Sequence, residues 1–227
     1  MSTLLSLILQ QNVNIFYLIN SGLENQIFNF FMPLITDFGS IVAWTIICIL
    51  LYLFGGQNTK KVAILGITAL LFANLFVYIL KVLIAEPRPF MVLPNVNLLI
   101  TKIGINSFPS GHTASSFAAA TVIGLKIRID IKGKNYRLIY PLLAFAVLIG
   151  FSMIYIGVHY PLDVIIGGLI GIFSALLVLK LWNNLLVDKI SKVDLKDKLL
   201  PKKFGNKNKQ INDFIFNMVV RFSSNKL

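Results

Sequence analysis

Among the chain's long windows without Asp, Glu, Lys or Arg are 22 residues between Asp37 and Lys60, 19 between Lys61 and Lys81, and 25 between Arg137 and Asp163. An apolar run of about 20 residues matches the thickness of a bilayer, and in hydrocarbon only a helix satisfies the backbone within one segment. Two further apolar stretches occupy residues 113–125 and 164–179; the second extends past Lys180, whose ammonium can snorkel to the interface. The pattern predicts five spanning helices, near residues 39–57, 61–83, 109–126, 138–156 and 161–183. Composition agrees: 13% of residues are charged, against roughly 25% in soluble domains, which argues against a cytosolic globule or a disordered chain.

Residues 1–38 read differently. The apolar run at 4–9 stops at Gln10, Gln11, Asn12 and Asn14, too short to span, and no basic segment or cleavage site marks a signal peptide. Residues 4–35 are expected to form one or two helices lying in the interface, with a sixth span as the alternative. The fold class is therefore an all-α integral membrane protein, a bundle of five transmembrane helices (six on the alternative) with interfacial N-terminal helices. Trp44 and Trp182 are expected in aromatic belts at the membrane edges. The small-residue rows Gly167–Gly171–Ala175 and Ala114–Ser115–Ala118–Ala119 predict close helix packing.

The net charge of +12 is confined to three places. Lys60 and Lys61 contribute +2, residues 126–137 contribute +4, and the tail from Asp188 contributes +6, so the rest of the chain is neutral. With five spans, all three segments fall on one side, which the positive-inside rule makes cytoplasmic. The C-terminus is then cytoplasmic, and the N-terminus, the 84–108 loop and the 157–160 turn face outward. In the tail, Ile211, Phe214, Ile215, Met218, Val219 and Phe222 recur at helical spacing, predicting an amphipathic helix on the anionic cytoplasmic leaflet. Nucleic acid is not an expected partner, because these lysines border spans without interleaved aromatics. The single cysteine, Cys48, excludes an internal disulfide and reads as a small buried hydrophobe.

Polar residues at membrane depth are costly and point to function. They collect on the outward side in three segments: Lys81 to Arg88-Pro89; Pro109-Ser110-Gly111-His112; and Ser152 through His159 to Asp163. Lys81 and Arg88 lie seven apart, on one helical face, and both can only donate, which suits an oxyanion, although a lone cation at a helix end also serves as an anchor. Pro109-Ser110-Gly111 before a helix offers free N–H groups at a positive dipole end, and reads equally as a plain N-cap. Asp163, four residues after His159, can hold the imidazole in one tautomer, or the pair can be a structural hydrogen bond. Both histidines of the chain belong to these segments, so the joint reading is a phosphate site with two histidines. The few acids nearby are too sparse for a two-metal centre, so neither a metal nor another cofactor is expected.

The pattern K-x6-RP, PSGH, S-x6-H-x3-D resembles the type-2 phosphatidate phosphatase (vanadium-haloperoxidase-like) superfamily. Residues 14–20, 33–39 and 157–163 make the chain most similar, within it, to bacitracin-resistance-type undecaprenyl-diphosphate phosphatases. The resemblance implies a domain order of an interfacial region at 1–38, a transmembrane phosphatase core at 39–187 and a basic tail at 188–227. It also implies a phosphohistidine on His159 oriented by Asp163, proton transfer by His112, and phosphate held by Lys81, Arg88, Ser110 and Gly111. Where the family carries an arginine after the serine of the third motif, this chain has Met153. Losing that clamp would cost on the order of 2–4 kcal/mol in the transition state, with Lys102 the candidate substitute cation.

The expected function is hydrolysis of a polyprenyl diphosphate to the monophosphate at the external face. The alternatives are a phosphatidate or phosphatidylglycerophosphate phosphatase, a lipid-diphosphate phosphotransferase, and a non-catalytic lipid-phosphate binding protein. The sequence does not define an oligomeric state.

Overall fold

The computed structural model describes residues 2–100, 104–131 and 133–199. The chain divides into two units, Met1–Trp182 and Asn183–Leu227, and the account below concerns the first. Lys102 and the amphipathic pattern of the tail lie outside the described residues.

The first unit is almost wholly helical. In chain order the elements are α1 (Ser2–Asn20), α2 (Gln26–Asp37), α3 (Ile41–Phe54), α4 (Gln57–Ile84), α5 (Pro89–Val92), α6 (Gly111–Lys126), β1 (Arg128–Ile131), β2 (Lys134–Arg137), α7 (Ile139–Tyr155) and α8 (Pro161–Leu199). Side chains mark several starts: the oxygens of Asn25, Ser40 and Ser110 accept N–H groups of Phe28, Ala43 and Thr113, the usual N-cap device. Among the described residues, α4 and the Pro161–Leu185 part of α8 are long and apolar enough to cross a membrane. The pair α2 and α3, meeting at 58°, makes a third candidate, and α7 is a shorter apolar helix. Each of the five expected spans falls on a helix, α3, α4, α6, α7 and α8, with length and apolarity for crossing established for two or three of them.

α6 is the centre of the bundle, packed against α4, α7 and α3. Its buried face is built from Thr113, Ala114, Ser115, Ser116, Ala118, Ala119 and Ala120, residues small enough to let neighbouring backbones approach. α8 approaches it closely: a Cβ at Gly167 would stand 2.5 Å from Ser110 O, and one at Gly171 2.4 Å from Ala114 O. Around this axis the core gathers Trp44, Cys48, Leu70, Val77, Val122, Ile149 and Val178. Large apolar side chains such as Phe54, Leu71, Leu83, Leu169 and Phe173 point outward, as expected of a chain whose solvent is lipid.

Two observations differ from the sequence reading. Trp44 does not sit in an aromatic belt; it is 2% exposed and donates its indole N–H to Ser116 Oγ at 3.1 Å, a bond an indole inside a bundle needs. Arg128–Ile131 and Lys134–Arg137 pair as an antiparallel hairpin in a chain expected to be all-α, in register Arg128↔Arg137 to Ile131↔Lys134. Its turn is allowed by Gly133 at φ +77°, whose N–H is taken by Asp130 Oδ1. Residues 4–35 fall on two helices, α1 and α2, within the expected one or two, and in α1 Asn12, Phe16 and Asn20 are buried.

Candidate active site

The three polar segments meet where α4 ends and α6 and α8 begin. α4 ends at Ala85 in the left-handed conformation (φ 50°), whose N–H returns to Lys81 O. The chain then runs extended, so that Pro87 bridges Asn106 and Ser107 N–H bonds Glu86 O at 2.7 Å. Lys81 Nζ donates to the carbonyls of Asn106 (2.7 Å) and Ser107 (2.9 Å), and Asn106 Nδ2 donates back to Lys81 O. Two of the three ammonium protons are thus committed to the loop and one is left for a ligand.

Arg88 follows the same logic. It is 7% exposed; Nε donates to Gly104 O at 2.5 Å and Nη1 to Val158 O at 2.9 Å. The remaining Nη1 contact is to His159 Nε2 at 3.3 Å. Both Nη2 protons stay uncommitted among the described residues. Burial lowers the guanidinium pKa to about 10, against the opposing pull of Asp163, so the group remains charged at neutral pH.

His159 and Asp163 stand on the turn into α8. Gly157, at φ +85°, reverses the chain after α7, and a Cβ there would also press within 2.8 Å of Asn97 O. Pro161 opens α8, and Asp163 reaches back from the first turn to accept Tyr160 N–H at 2.9 Å, a reciprocal cap. The same Oδ2 accepts from His159 Nδ1 at 3.1 Å and from the hydroxyl of Ser107. With Nδ1–H donating to the carboxylate, Nε2 carries the lone pair, consistent with its facing an N–H of Arg88. His159 is 2% exposed. Burial pushes its pKa down to about 4; the Asp163 hydrogen bond and charge oppose this, while Arg88 and Lys81 add to it. The imidazole is neutral at neutral pH, with a nucleophilic nitrogen beside a guanidinium.

Ser110 begins α6. Its Oγ accepts from Thr113 N–H and Oγ1, and its own N–H donates to Asp163 O at 3.0 Å, tying the anion-facing end of α6 to α8. The N–H groups of Gly111 and His112 have no partner within the helix at this end, where the dipole favours an anion. His112 is half-buried, packed beside Gly39 at the α2–α3 corner. Its imidazole has no hydrogen bond to any described residue, and the charges of Arg88 and Lys81 act on both histidines.

The structure thus brings together Lys81, Arg88, Ser110, Gly111, His112, His159 and Asp163. Met153 is 3% exposed in an apolar cluster with Met32, Tyr155, Ile156 and Val158, and its carbonyl accepts the N–H of Val158, the residue before His159, at 3.3 Å. Ser107 was not foreseen. It is fully buried, and its Oγ touches Asp163 Oδ2, His159 Nδ1 (3.3 Å) and Val158 O (3.4 Å). Its position three residues before the PSGH serine was the available signal. Among the described residues, no group of three or more His, Cys, Asp or Glu could hold a metal.

A helical membrane bundle carrying histidine, carboxylate and cations at one end defines a membrane phosphatase. The PAP2 superfamily model matches residues 61–186, and the chain belongs to that superfamily. It is 38% identical over 144 residues to the undecaprenyl-diphosphatase BcrC of Bacillus subtilis, covering 63% of this chain and 68% of that protein. An undecaprenyl-diphosphatase of Sulfolobus acidocaldarius is 30% identical over 185 residues, covering 80% of this chain and 84% of its own. The crystal structure of Aquifex aeolicus LpxE superposes with a TM-score of 0.65 at 34% identity, covering 75% of this chain and 95% of the other. The chain is a membrane-embedded phosphoric-ester hydrolase.

Proposed function

We propose that the chain hydrolyses a polyprenyl diphosphate to the monophosphate through a phosphohistidine at the external membrane face. The observation that carries this is His159: Nδ1 bound to a buried carboxylate, Nε2 facing Arg88, and a pKa that keeps the ring neutral. The undecaprenyl-diphosphatase relatives support the substrate, and the charge distribution supports the sidedness.

In the first step Nε2 attacks the terminal phosphorus, and the bond from phosphorus to the bridging oxygen breaks. His112 supplies a proton to the departing lipid monophosphate. Asp163 stabilises the imidazolium, and the free protons of Lys81 and Arg88, with the N–H groups at the start of α6, take the equatorial oxygens. In the second step His112 removes a proton from water, which attacks phosphorus; the phosphorus–nitrogen bond breaks and inorganic phosphate leaves. The residues named act without a metal or cofactor. The basic tail holds the chain to the anionic cytoplasmic leaflet.

The test offers purified protein polyprenyl diphosphate, phosphatidate and phosphatidylglycerophosphate in detergent with a chelator, and measures free phosphate. Fastest release from the polyprenyl diphosphate, abolished in His159→Ala, is expected. Preference for either glycerolipid overturns the substrate; loss of activity with chelator overturns the metal-free chemistry. Sidedness is read from release by sealed, right-side-out vesicles without permeabilisation.

A further inference from the structure

The mechanism leaves α1 without a role, yet one face of this helix is buried against the catalytic turn. Asn12, Phe16 and Asn20 recur every four residues, so they form a single stripe, and they are 6%, 0% and 0% exposed. Gln10, Gln11 and Asn14, the other polar residues of the same stretch, are exposed. Two buried asparagines on an otherwise largely exposed helix are costly unless their bonds are made.

The bonds are made: two go to the ends of the 155–163 turn that carries His159, and two to Asn97, which packs on that turn at Gly157. Asn12 Oδ1 accepts the N–H of Leu162 at 3.0 Å. Leu162 is the second residue of α8, after a proline that has no N–H, so its donor has no partner within the helix. Asn12 is therefore a cap for α8 supplied from another helix, between His159 and Asp163 on one side and α1 on the other. One turn along, the Phe16 ring meets the Tyr160 ring at 5.8 Å between centroids. A further turn along, Asn20 Nδ2 donates to Tyr155 O (2.7 Å), the last residue of α7, and to Asn97 O (2.8 Å). Asn20 Oδ1 accepts Asn97 N–H at 2.9 Å. Asn97 O also lies 2.8 Å from the position a Cβ at Gly157 would take.

We propose that Asn12 and Asn20 are positioning residues for hydrolysis: α1 clamps the 155–163 turn at both ends and fixes the angle at which His159 Nε2 meets phosphorus. The proposal rests on the reading of His159 as nucleophile. Neither asparagine is placed at the phosphate-binding groups, so the effect falls on kcat and not on KM. A misplacement of about 1 Å costs on the order of 100-fold in rate.

The test uses full-length protein in detergent, assayed well below each variant's own unfolding midpoint. Asn12→Leu and Asn20→Leu are each expected to lower kcat by about 10- to 100-fold with KM changed less than about twofold. Asn12→Asp, which keeps an acceptor at a positive helix end, is expected to stay within about threefold of the wild-type kcat. Leu70→Ala, a cavity in the core away from the site, is expected to lower the midpoint without changing kcat. Wild-type kcat in Asn12→Leu and Asn20→Leu overturns the proposal, as does an equal kcat loss in Leu70→Ala, or failure of Asn12→Asp to restore the rate. Should Asn20→Leu not assemble, Asn12→Leu, which removes one acceptor only, decides. If wild type and His159→Ala release phosphate equally, the reading of His159 has failed instead, and that result is distinct from all of these.

Discussion

Replacing Asp163 by asparagine isolates the charge of the carboxylate from its geometry. Oδ2 accepts three donors, from His159, Ser107 and Tyr160, whereas Oδ1 is buried with no partner among the described residues. An asparagine therefore sits with its oxygen in the Oδ2 place; the flipped amide would turn an NH2 group onto three donors. Its NH2 then occupies the Oδ1 place unpaired, which lowers stability by about 1–3 kcal/mol. The Nδ1–H tautomer of His159 survives and Nε2 remains the nucleophile. What is lost is the negative charge that faces the imidazolium as phosphorus is attacked, worth about 2–4 kcal/mol by analogy with other preorganised charge stabilisers. The expected outcome is a fall in kcat of roughly 30- to 1000-fold, with a folded protein and KM little changed. The assay is initial-rate phosphate release from polyprenyl diphosphate in micelles, alongside thermal unfolding of the same preparation. A loss below about threefold would show that the carboxylate charge takes no part. A loss near 10,000-fold in folded protein, the size expected of a wrong tautomer, would refute the argued orientation of the amide.

Other outcomes follow from the same geometry. Ser107→Ala removes a hydroxyl donor to Asp163 and lowers kcat by about 10- to 100-fold, the equivalent of one hydrogen bond to a charged group; an unchanged kcat contradicts its inclusion in the site. Glu86, raised to about 7 first by burial and then by the charge of Asp163, is neutral below that pH and negative above it. Its carboxylate then opposes the phosphate anion, so kcat/KM falls as pH rises through 7, and Glu86→Gln removes that step in the pH profile. His159, held near 4, stays neutral across the same range and contributes no loss there. Met153→Arg supplies the family's missing cation and raises turnover while lowering the unfolding midpoint, because it replaces a buried residue of an apolar cluster; an unchanged or lower rate in folded protein contradicts the role given to that position.

The parts of the site readable from sequence are those set by local spacing. Lys81 and Arg88 at seven, His159 and Asp163 at four, and Pro-Ser-Gly before α6 announce themselves because helix geometry places them. Ser107, Asn12 and Asn20 do not, since their partners lie 56, 150 and 77 to 135 residues away. The cations are held largely by backbone carbonyls, of Asn106, Ser107, Gly104 and Val158, and a carbonyl leaves no mark on residue type. The same holds for Trp44, whose place is settled by Ser116 across 72 positions. In the hairpin the alternation of Ile129 and Ile131 spans a strand of only four residues, too short to stand out among Arg128, Asp130, Lys134 and Arg137. Gly167 and Gly171 were legible as a packing row, while their partner atoms, Ser110 O and Ala114 O, were not.

The central claim is a covalent phosphate on His159. It is tested most directly by offering terminally labelled polyprenyl diphosphate to the His112→Asn protein, in which attack by water is impaired more than departure of the lipid monophosphate, a stable anion that needs a proton less, and quenching within one turnover. The account predicts label bound to protein, stable to base and lost in acid, on the peptide containing His159, and absent from the His159→Ala, His112→Asn double variant. Steady hydrolysis by the wild type with no labelled protein at any time, or label on a different residue, would contradict it.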